Sequence, residues 1–413
     1  MLFKALENLL TVIEIPILVL SIVFFSEVIA ACLSNPKLAE EDNQEVTQTS
    51  IKIADLSLTV LVPARNEEFV ISETVKDIKK QLRSQDQLIV IADNCTDQTA
   101  EVARLAGAAV IERDNLVFCG KGYALDYGIK ALANNPPTVV VMIDADCSLD
   151  ASAIFHLSQQ ALSTNLPAQA VYLFNRGRLS SISASISVLA IKIKNWVRPQ
   201  GLLYYGFSCP LTGSGMAFPW QVISSVNLAS GSIVEDMKLG LDLAIAGYPT
   251  KLCPQSRVYS TLPESPVISA NQKTRWEHGH LRLLLEYIPK LAISAIKKKD
   301  PSLVAVMLDL AIPPLSLLVS IWGVLLLLSG TLSLLIGTNI EFTLPLKISG
   351  LSGGLLILSI MLSWLKFARE DISPVQLLLI PQYILRKLPV YLKFLHKPQE
   401  QWIKTARNIS TRR

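Results

Sequence analysis

An apolar run, Val139-Val140-Val141-Met142-Ile143, ends in two acids one residue apart, Asp144 and Asp146. Carboxylates so placed suit a hard divalent cation, which takes oxygen ligands and in turn neutralises phosphate oxygens. The plain alternative is a turn or a helix cap. Further on, Glu235-Asp236 stands between Val234 and Met237. A carboxylate in apolar surroundings suits a general base toward a hydroxyl; acids placed to meet a helix dipole are the plain alternative. Gly120-Lys121-Gly122 sets a cation where the backbone leaves room for close approach of an anionic group. Arg65-Asn66-Glu67 and Asp93-Asn94-Cys95-Thr96-Asp97 are polar stretches able to hydrogen-bond a nucleobase, or simply to cap following helices. Gln272-Lys273-Thr274-Arg275-Trp276 joins a guanidinium suited to a diphosphate with a ring suited to a sugar face or a membrane interface.

The elements that must position these residues are legible in the pattern between them. Leu58 to Val62 is a β-branched run stopped by Pro63, and Glu67 to Leu82 has helical periodicity. Gln87 to Ala92 and Ala108 to Ile111 predict two more strands, with a helix reaching Leu105 between them. Gly122 to Leu132 predicts a helix, and Val139 to Ile143 a fourth strand. Strands alternating with helices predict an α/β domain with a mostly parallel, Rossmann-like sheet. In such sheets ligands bind beyond the carboxyl ends of the strands, where the polar stretches lie.

The rest of the 413-residue chain is of another kind. Half of its residues are hydrophobic and only 17% are charged, and the apolar excess sits in the first thirty residues and the last quarter. Leu9 to Leu33 is long enough to span a bilayer; the rival, a cleaved lipoprotein signal ending at Cys32, has a shorter apolar run and a more basic start. Glu14 and Glu27 fall on that segment and are expected to face other helices or the interface. Leu303 to Gly337, divided at Pro313-Pro314, and Leu344 to Phe367 predict two further spans. Val375 to Leu395, with two prolines and three basic residues, reads as interfacial. The expected organisation is a spanning helix over 1–33, a polar linker over 34–54 and a catalytic domain over 55–276. An interfacial helix over 277–300, two spans over 301–367 and a basic tail over 368–413 follow. Basic residues beside the apolar segments predict a plasma-membrane protein with its large domain on the cytoplasmic side. A net charge of +4 gives no footprint for nucleic acid. Six scattered cysteines without a Cys-x-x-Cys pair fit a reducing compartment and no zinc site.

Taken in order, the post-strand loops, the Asp-x-Asp, the Glu-Asp pair and the Gln-x-x-Arg-Trp resemble the family 2 glycosyltransferases from Leu58 to Trp276. Gln-x-x-Arg-Trp is found in the processive cellulose, chitin and hyaluronan synthases of that family, and a similar signature in ceramide glucosyltransferases that add one sugar. The resemblance implies a GT-A fold and inverting transfer from a UDP-sugar. It implies nucleotide-sugar binding by Glu67, Asp93, Lys121 and Asp144, and Mg²⁺ or Mn²⁺ on Asp146 with Asp144. Asp236 becomes the general base, with Glu235 beside it. Gln272, Arg275 and Trp276 shape the acceptor and diphosphate site, with Gly213, Ser214 and Gly215 on its floor. His278 lies close by in sequence. Three spans and the lack of a Phe-x-Val-Thr motif in the tail favour a lipid or lipid-linked acceptor, as in exopolysaccharide or glycolipid assembly, over a processive polysaccharide synthase. Two rivals come from other classes. A nucleotidyltransferase lacks its glycine-rich signature here, where Pro63-Ala64-Arg65-Asn66-Glu67 stands. A non-catalytic membrane-anchored nucleotide-binding module leaves the acids at 144, 146 and 236 without a purpose.

Overall fold

The computed structural model describes residues 2–34, 57–177, 181–336 and 343–399. The expected linker over 34–54, apart from Ser34, and the end of the tail from residue 400 lie outside them. The described residues form two compact units: one of 57–177, 206–279, Ser34 and Gln399, the other of 2–33, 181–205 and 280–398.

The first unit is an α/β domain. Its strands are β1 (Leu58–Ala64), β2 (Gln87–Asp93), β3 (Ala109–Arg113), β4 (Val139–Met142), β5 (Ser148–Leu149), β6 (Ala168–Asn175), β7 (Met216–Pro219) and β8 (Lys251–Thr261). They form one sheet in the order β3-β2-β1-β4-β7-β6-β8-β5. The first half, β3-β2-β1-β4, is wholly parallel, as the alternation of strands and helices predicts. β4 and β1 are buried almost throughout, because helices cover both faces. Gly128, on the Lys121–Leu132 helix, lets that helix lie close on the sheet: a Cβ there would come within 2.5 Å of Ile91. The second half is mixed. β7 runs antiparallel to both β4 and β6, β6 and β8 are parallel, and the short β5 closes the edge antiparallel to β8. This is the GT-A arrangement that the resemblance implies, a parallel half continued into a mixed half.

The second unit is helical. Three of its helices are long and apolar enough to cross a membrane: Phe3–Leu33, Leu315–Leu335 and Leu344–Ala368. The break expected at Pro313-Pro314 is present, separating the Pro301–Ala311 helix from the Leu315–Ile336 helix. Both carboxylates of the first span are buried among other helices, as unpaired polar groups in lipid would be costly. Glu14 accepts hydrogen bonds from Ser329 and from Ser349, at 2.8 Å for the latter, so one acid ties all three spans together. Glu27 pairs at 2.8 Å with Arg198, whose other arm reaches the backbone and side chain of Asp309. Gly201 makes room for this joint: a Cβ there would sit 2.0 Å from the Glu27 carbonyl oxygen. The segment that supplies Arg198 and Gly201 is inserted between β6 and β7 in sequence, yet it packs in the helical unit.

Two helix boundaries differ from the expectation. Pro266–Lys298 is one continuous helix rather than an interfacial helix beginning near residue 277. The Ile71–Lys79 helix starts later than Glu67, since Asn66 takes a left-handed conformation that turns the chain before the helix begins.

Candidate active site

Because β1, β2 and β4 are parallel, their carboxyl ends open on one edge of the sheet, and the polar stretches gather there. After β1, Asn66 and Thr96 exchange two hydrogen bonds, 2.7 and 2.9 Å, and the Glu67 N–H donates to Thr99 Oγ1 at 2.7 Å. The loops after β1 and β2 are thus fastened together. Asp93, the last residue of β2, is buried, and its carboxylate receives Arg113 Nη1 at 2.5 Å from the facing end of β3. Arg113 also holds the Phe118 carbonyl at 2.6 Å and lies over the Tyr123 ring.

Lys121 opens its helix after Gly120, whose φ of 127° only glycine adopts readily. Its ammonium bonds Asp144 Oδ1 and the Gly213 carbonyl, both at 2.5 Å, and stands 4.0 Å from Glu235. Burial alone would lower the pKa of this lysine, but Asp144, Glu235 and Asp236 around it hold it above its usual value. Burial also raises Asp144, with Asp146 adding and Lys121 opposing. Glu235 is pushed up to about 7, first by burial and then by the Asp236 carboxylate, against the pull of Lys121 and Arg275.

Glu235 and Asp236 occupy the first turn of the Glu235–Ala246 helix, where the exposed N–H groups favour acids. Gly213, at φ 103°, leaves the space that Asp236 fills: a Cβ there would lie 2.9 Å from Asp236 Oδ2. Ser214 Oγ accepts the Asp144 N–H at 3.0 Å, and Gly215, at φ 70°, lies against Ala170 and Val258. Asp146 accepts Ser260 Oγ at 2.9 Å.

Asp144, Asp146 and Cys147 each offer a ligand atom, all within 4.8 Å of one another. Burial, then Asp146 and Asp144, push the Cys147 thiol well above its usual range, so it stays a neutral thiol against Ser214. The two carboxylates are therefore the groups that fit a hard cation such as Mg²⁺ or Mn²⁺.

Gln272, Arg275 and Trp276 lie three and four residues apart on the Pro266–Lys298 helix, and so on one face. Trp276 meets Phe174 of β6 edge-on at 5.6 Å, and Arg275 is near enough to Glu235 to act on its charge. Gly279 brings this helix onto Val234, directly before the acid pair; a Cβ would come within 2.6 Å of that side chain. His278 is buried, and its Nδ1 accepts the Gln399 N–H at 3.1 Å.

Residues 55–279, just over half of the chain, match the model of the glycosyltransferase like family 2. The chain belongs to that family. The acids and the lysine of this candidate site all fall inside the matched segment. A Bacillus subtilis protein named "Probable glycosyltransferase YdaM" is 24% identical over 246 residues, 56% of this chain and 57% of that protein. The 4,4'-diaponeurosporenoate glycosyltransferase of Staphylococcus haemolyticus is 32% identical over 98 residues, 23% of this chain and 25% of that enzyme. The chain thus matches 57% or less of the length of these curated relatives. Among solved structures, a Pyrobaculum calidifontis mannosyltransferase in complex with GDP-Man and Mn²⁺ is similar with a TM-score of 0.48 and 15% identity, covering 93% of this chain and 100% of that one.

Some residues of this candidate site carried no signal in the sequence. Arg113 and Ser260 follow no motif, and only the register of β2 on β3 and the path of β8 bring them to Asp93 and Asp146. Gln169, buried in β6, is another, and its contacts are described below.

Proposed function

We propose that the chain transfers a sugar from a UDP-sugar, with inversion, to the hydroxyl of a lipid or lipid-linked acceptor at the cytoplasmic face of the plasma membrane. The observation that carries this reading is the cluster around Lys121. One ammonium is held by Asp144 and Gly213 and is ringed by Glu235 and Asp236 at the open edge of a nucleotide-binding sheet.

In this reading Asp236 takes the proton of the acceptor hydroxyl as its oxygen attacks the anomeric carbon. The bond from that carbon to the diphosphate breaks on the opposite face, so one displacement inverts the configuration. Lys121 and Arg275 neutralise the departing diphosphate, the guanidinium with two donors in one plane. Glu67 and Asp93 contact the nucleoside, and Arg113 fixes the Asp93 carboxylate for it. Asp146 and Asp144 would hold Mg²⁺ or Mn²⁺, which supplies Lewis-acid neutralisation of the diphosphate oxygens. Gly213, Ser214 and Gly215 shape the floor, and Gln272 and Trp276 the wall, against which the acceptor lies. Glu235, held neutral longer than an ordinary carboxyl, keeps repulsion beside Asp236 low.

A lipid-phase acceptor is supported by the three helices able to cross a membrane. It is also in keeping with the partial likeness to an enzyme named for 4,4'-diaponeurosporenoate. The test is release of UDP from a panel of UDP-sugars by the full chain in detergent, with a lipid extract and Mn²⁺ or Mg²⁺. Turnover that a chelator abolishes and that leaves label in the lipid phase is the expected result. Turnover with label only in water-soluble product would reject the lipid acceptor, and no turnover with any donor would reject the whole reading.

A further inference from the structure

We infer that Gln169 is a positioning residue for glycosyl transfer: its side-chain amide holds the 212–215 loop in the form that presents Gly213 to Lys121 and Ser214 to Asp144. This rests on the transferase reading above.

The argument begins with the sheet. β6 and β7 pair through only two residue pairs, Ala168 with Ala217 and Gln169 with Met216. Beyond them the Ala170 N–H donates to the Gly215 carbonyl at 2.7 Å and the Gly215 N–H to the Met142 carbonyl at 3.0 Å, which leaves the Thr212 N–H and the Ser214 carbonyl to a side chain. Gly213 and Gly215 both have positive φ, which rotates the intervening peptide groups away from the β6 edge. Peptide groups turned off a ladder still need partners when buried. Ser214 and Gly215 are buried, and Gln169 is 1% exposed beside them.

Gln169 provides those partners from one side chain. Its Oε1 accepts the Thr212 N–H at 3.0 Å, and its Nε2 donates toward the carbonyls of Ser214 at 2.9 Å and Gly215 at 3.3 Å. The same nitrogen is 2.8 Å from the Ala170 carbonyl. A carboxamide has one acceptor oxygen and two N–H donors, and no other side chain of this size offers both ends. A carboxylate would face three carbonyls, and an apolar chain would take this partner from the Thr212 N–H and the Ser214 carbonyl.

What the loop then presents is the site itself. The Gly213 carbonyl is one of the two anchors of Lys121, and the space above Gly213 holds Asp236. Ser214 Oγ accepts the Asp144 N–H and lies 3.2 Å from Cys147 Sγ. Gln169 touches none of the proposed reacting groups. It acts through a loop that touches Lys121, Asp144 and Asp236 at once.

The experiment uses the full chain in detergent and a donor that the wild type turns over. Gln169→Met keeps the volume and removes both polar ends; Gln169→Glu keeps the acceptor and removes the donors. Ser214→Ala and the Gln169→Met/Ser214→Ala double variant complete a cycle. Thermal unfolding is recorded for each, and rates are taken well below the midpoint. Displacing groups by a fraction of an ångström lowers turnover steeply, so folded Gln169→Met is expected to lose about 10- to 100-fold in kcat. The Mn²⁺ concentration for half-maximal rate should rise with it, a change that a lower melting point alone would not produce. Because both single changes act on one loop, the double variant should be less impaired than the product of the two single losses.

Folded variants with wild-type kcat and Mn²⁺ dependence would overturn the inference, as would fully additive losses. So would failure of both Gln169→Met and Gln169→Glu to fold, since Gln169 would then be a core residue and nothing more. A wild type that turns over no donor would remove the transferase reading and this inference together. Normal wild-type turnover with unaltered variants would remove this inference alone.

Discussion

Among the described residues, two clusters of acids around a cation are built differently. In the helical unit, Glu27 and Asp309 both bond the same guanidinium, and the pair is sealed: the side chains of Arg198 and Glu27 are only 7% and 3% exposed. In the α/β unit, Asp144, Glu235 and Asp236 surround Lys121, with Asp146 beside them, and Asp144 keeps 26% of its side chain open. A closed group in which each acid has a fixed hydrogen-bonding partner is a joint between helices. An open group with more acids than its one ammonium has N–H donors is a place that a metal ion and a diphosphate can complete. Residue types alone do not separate the two; access and the ratio of acids to built-in donors do.

The comparison can be broken from either side. The largest expected effect is on chemistry. Asp236→Asn should lower the rate of transfer about 10²–10⁴-fold while nucleotide binding stays near wild type, measured by turnover and by calorimetry with UDP. Arg198→Met should do the reverse, leaving Glu27 and Asp309 buried without their partner. A loss of about 3 kcal/mol is expected in unfolding of the detergent-solubilised chain, with the kcat of the surviving folded fraction little changed. If Arg198→Met abolished turnover in folded protein, the joint would be part of the site after all.

A smaller effect concerns Glu235. Its folded pKa, about 7, is raised above its ordinary value of 4.5, so its contribution to stability is fully present below about 4.5 and is lost as pH rises toward 7. Glu235→Gln removes that dependence. Without metal or nucleotide, the variant's melting temperature should change less than the wild type's between about pH 5 and 7, with a gain on the order of 2 kcal/mol at the upper end. An unchanged pH profile would show that Glu235 is ionised throughout. The smallest effect is at the three-span clasp: Ser349→Ala removes one of two hydrogen bonds to Glu14 and should cost about 0.6 kcal/mol, read from unfolding in detergent.

Much of this was legible in the sequence, for a physical reason. β1 to β4 are local apolar runs with polar residues directly after them, so Glu67, Asp93 and Asp144 could be placed at strand ends without knowing the fold. The three spans declare themselves by length, and the Pro313-Pro314 break by proline chemistry. The mixed half of the sheet was not legible. β7 is four residues long, and its antiparallel placement between β4 and β6 is set by long-range pairing that no local period encodes. Arg113, Ser260 and Gln169 were invisible for the same reason. Each matters through a partner 20 or more residues away across that sheet. The insertion that carries Arg198 reads as part of one continuous domain until packing assigns it to the helical unit.

Manganese binding tests the central claim most directly, because it asks whether the open cluster takes a cation and the closed one does not. The full chain in detergent would be titrated with Mn²⁺ in the presence of UDP and followed by electron paramagnetic resonance. The account predicts one ion bound per chain, lost in Asp146→Ala and retained in Glu27→Gln. Binding that survives Asp146→Ala, or that disappears in folded Glu27→Gln, would contradict it.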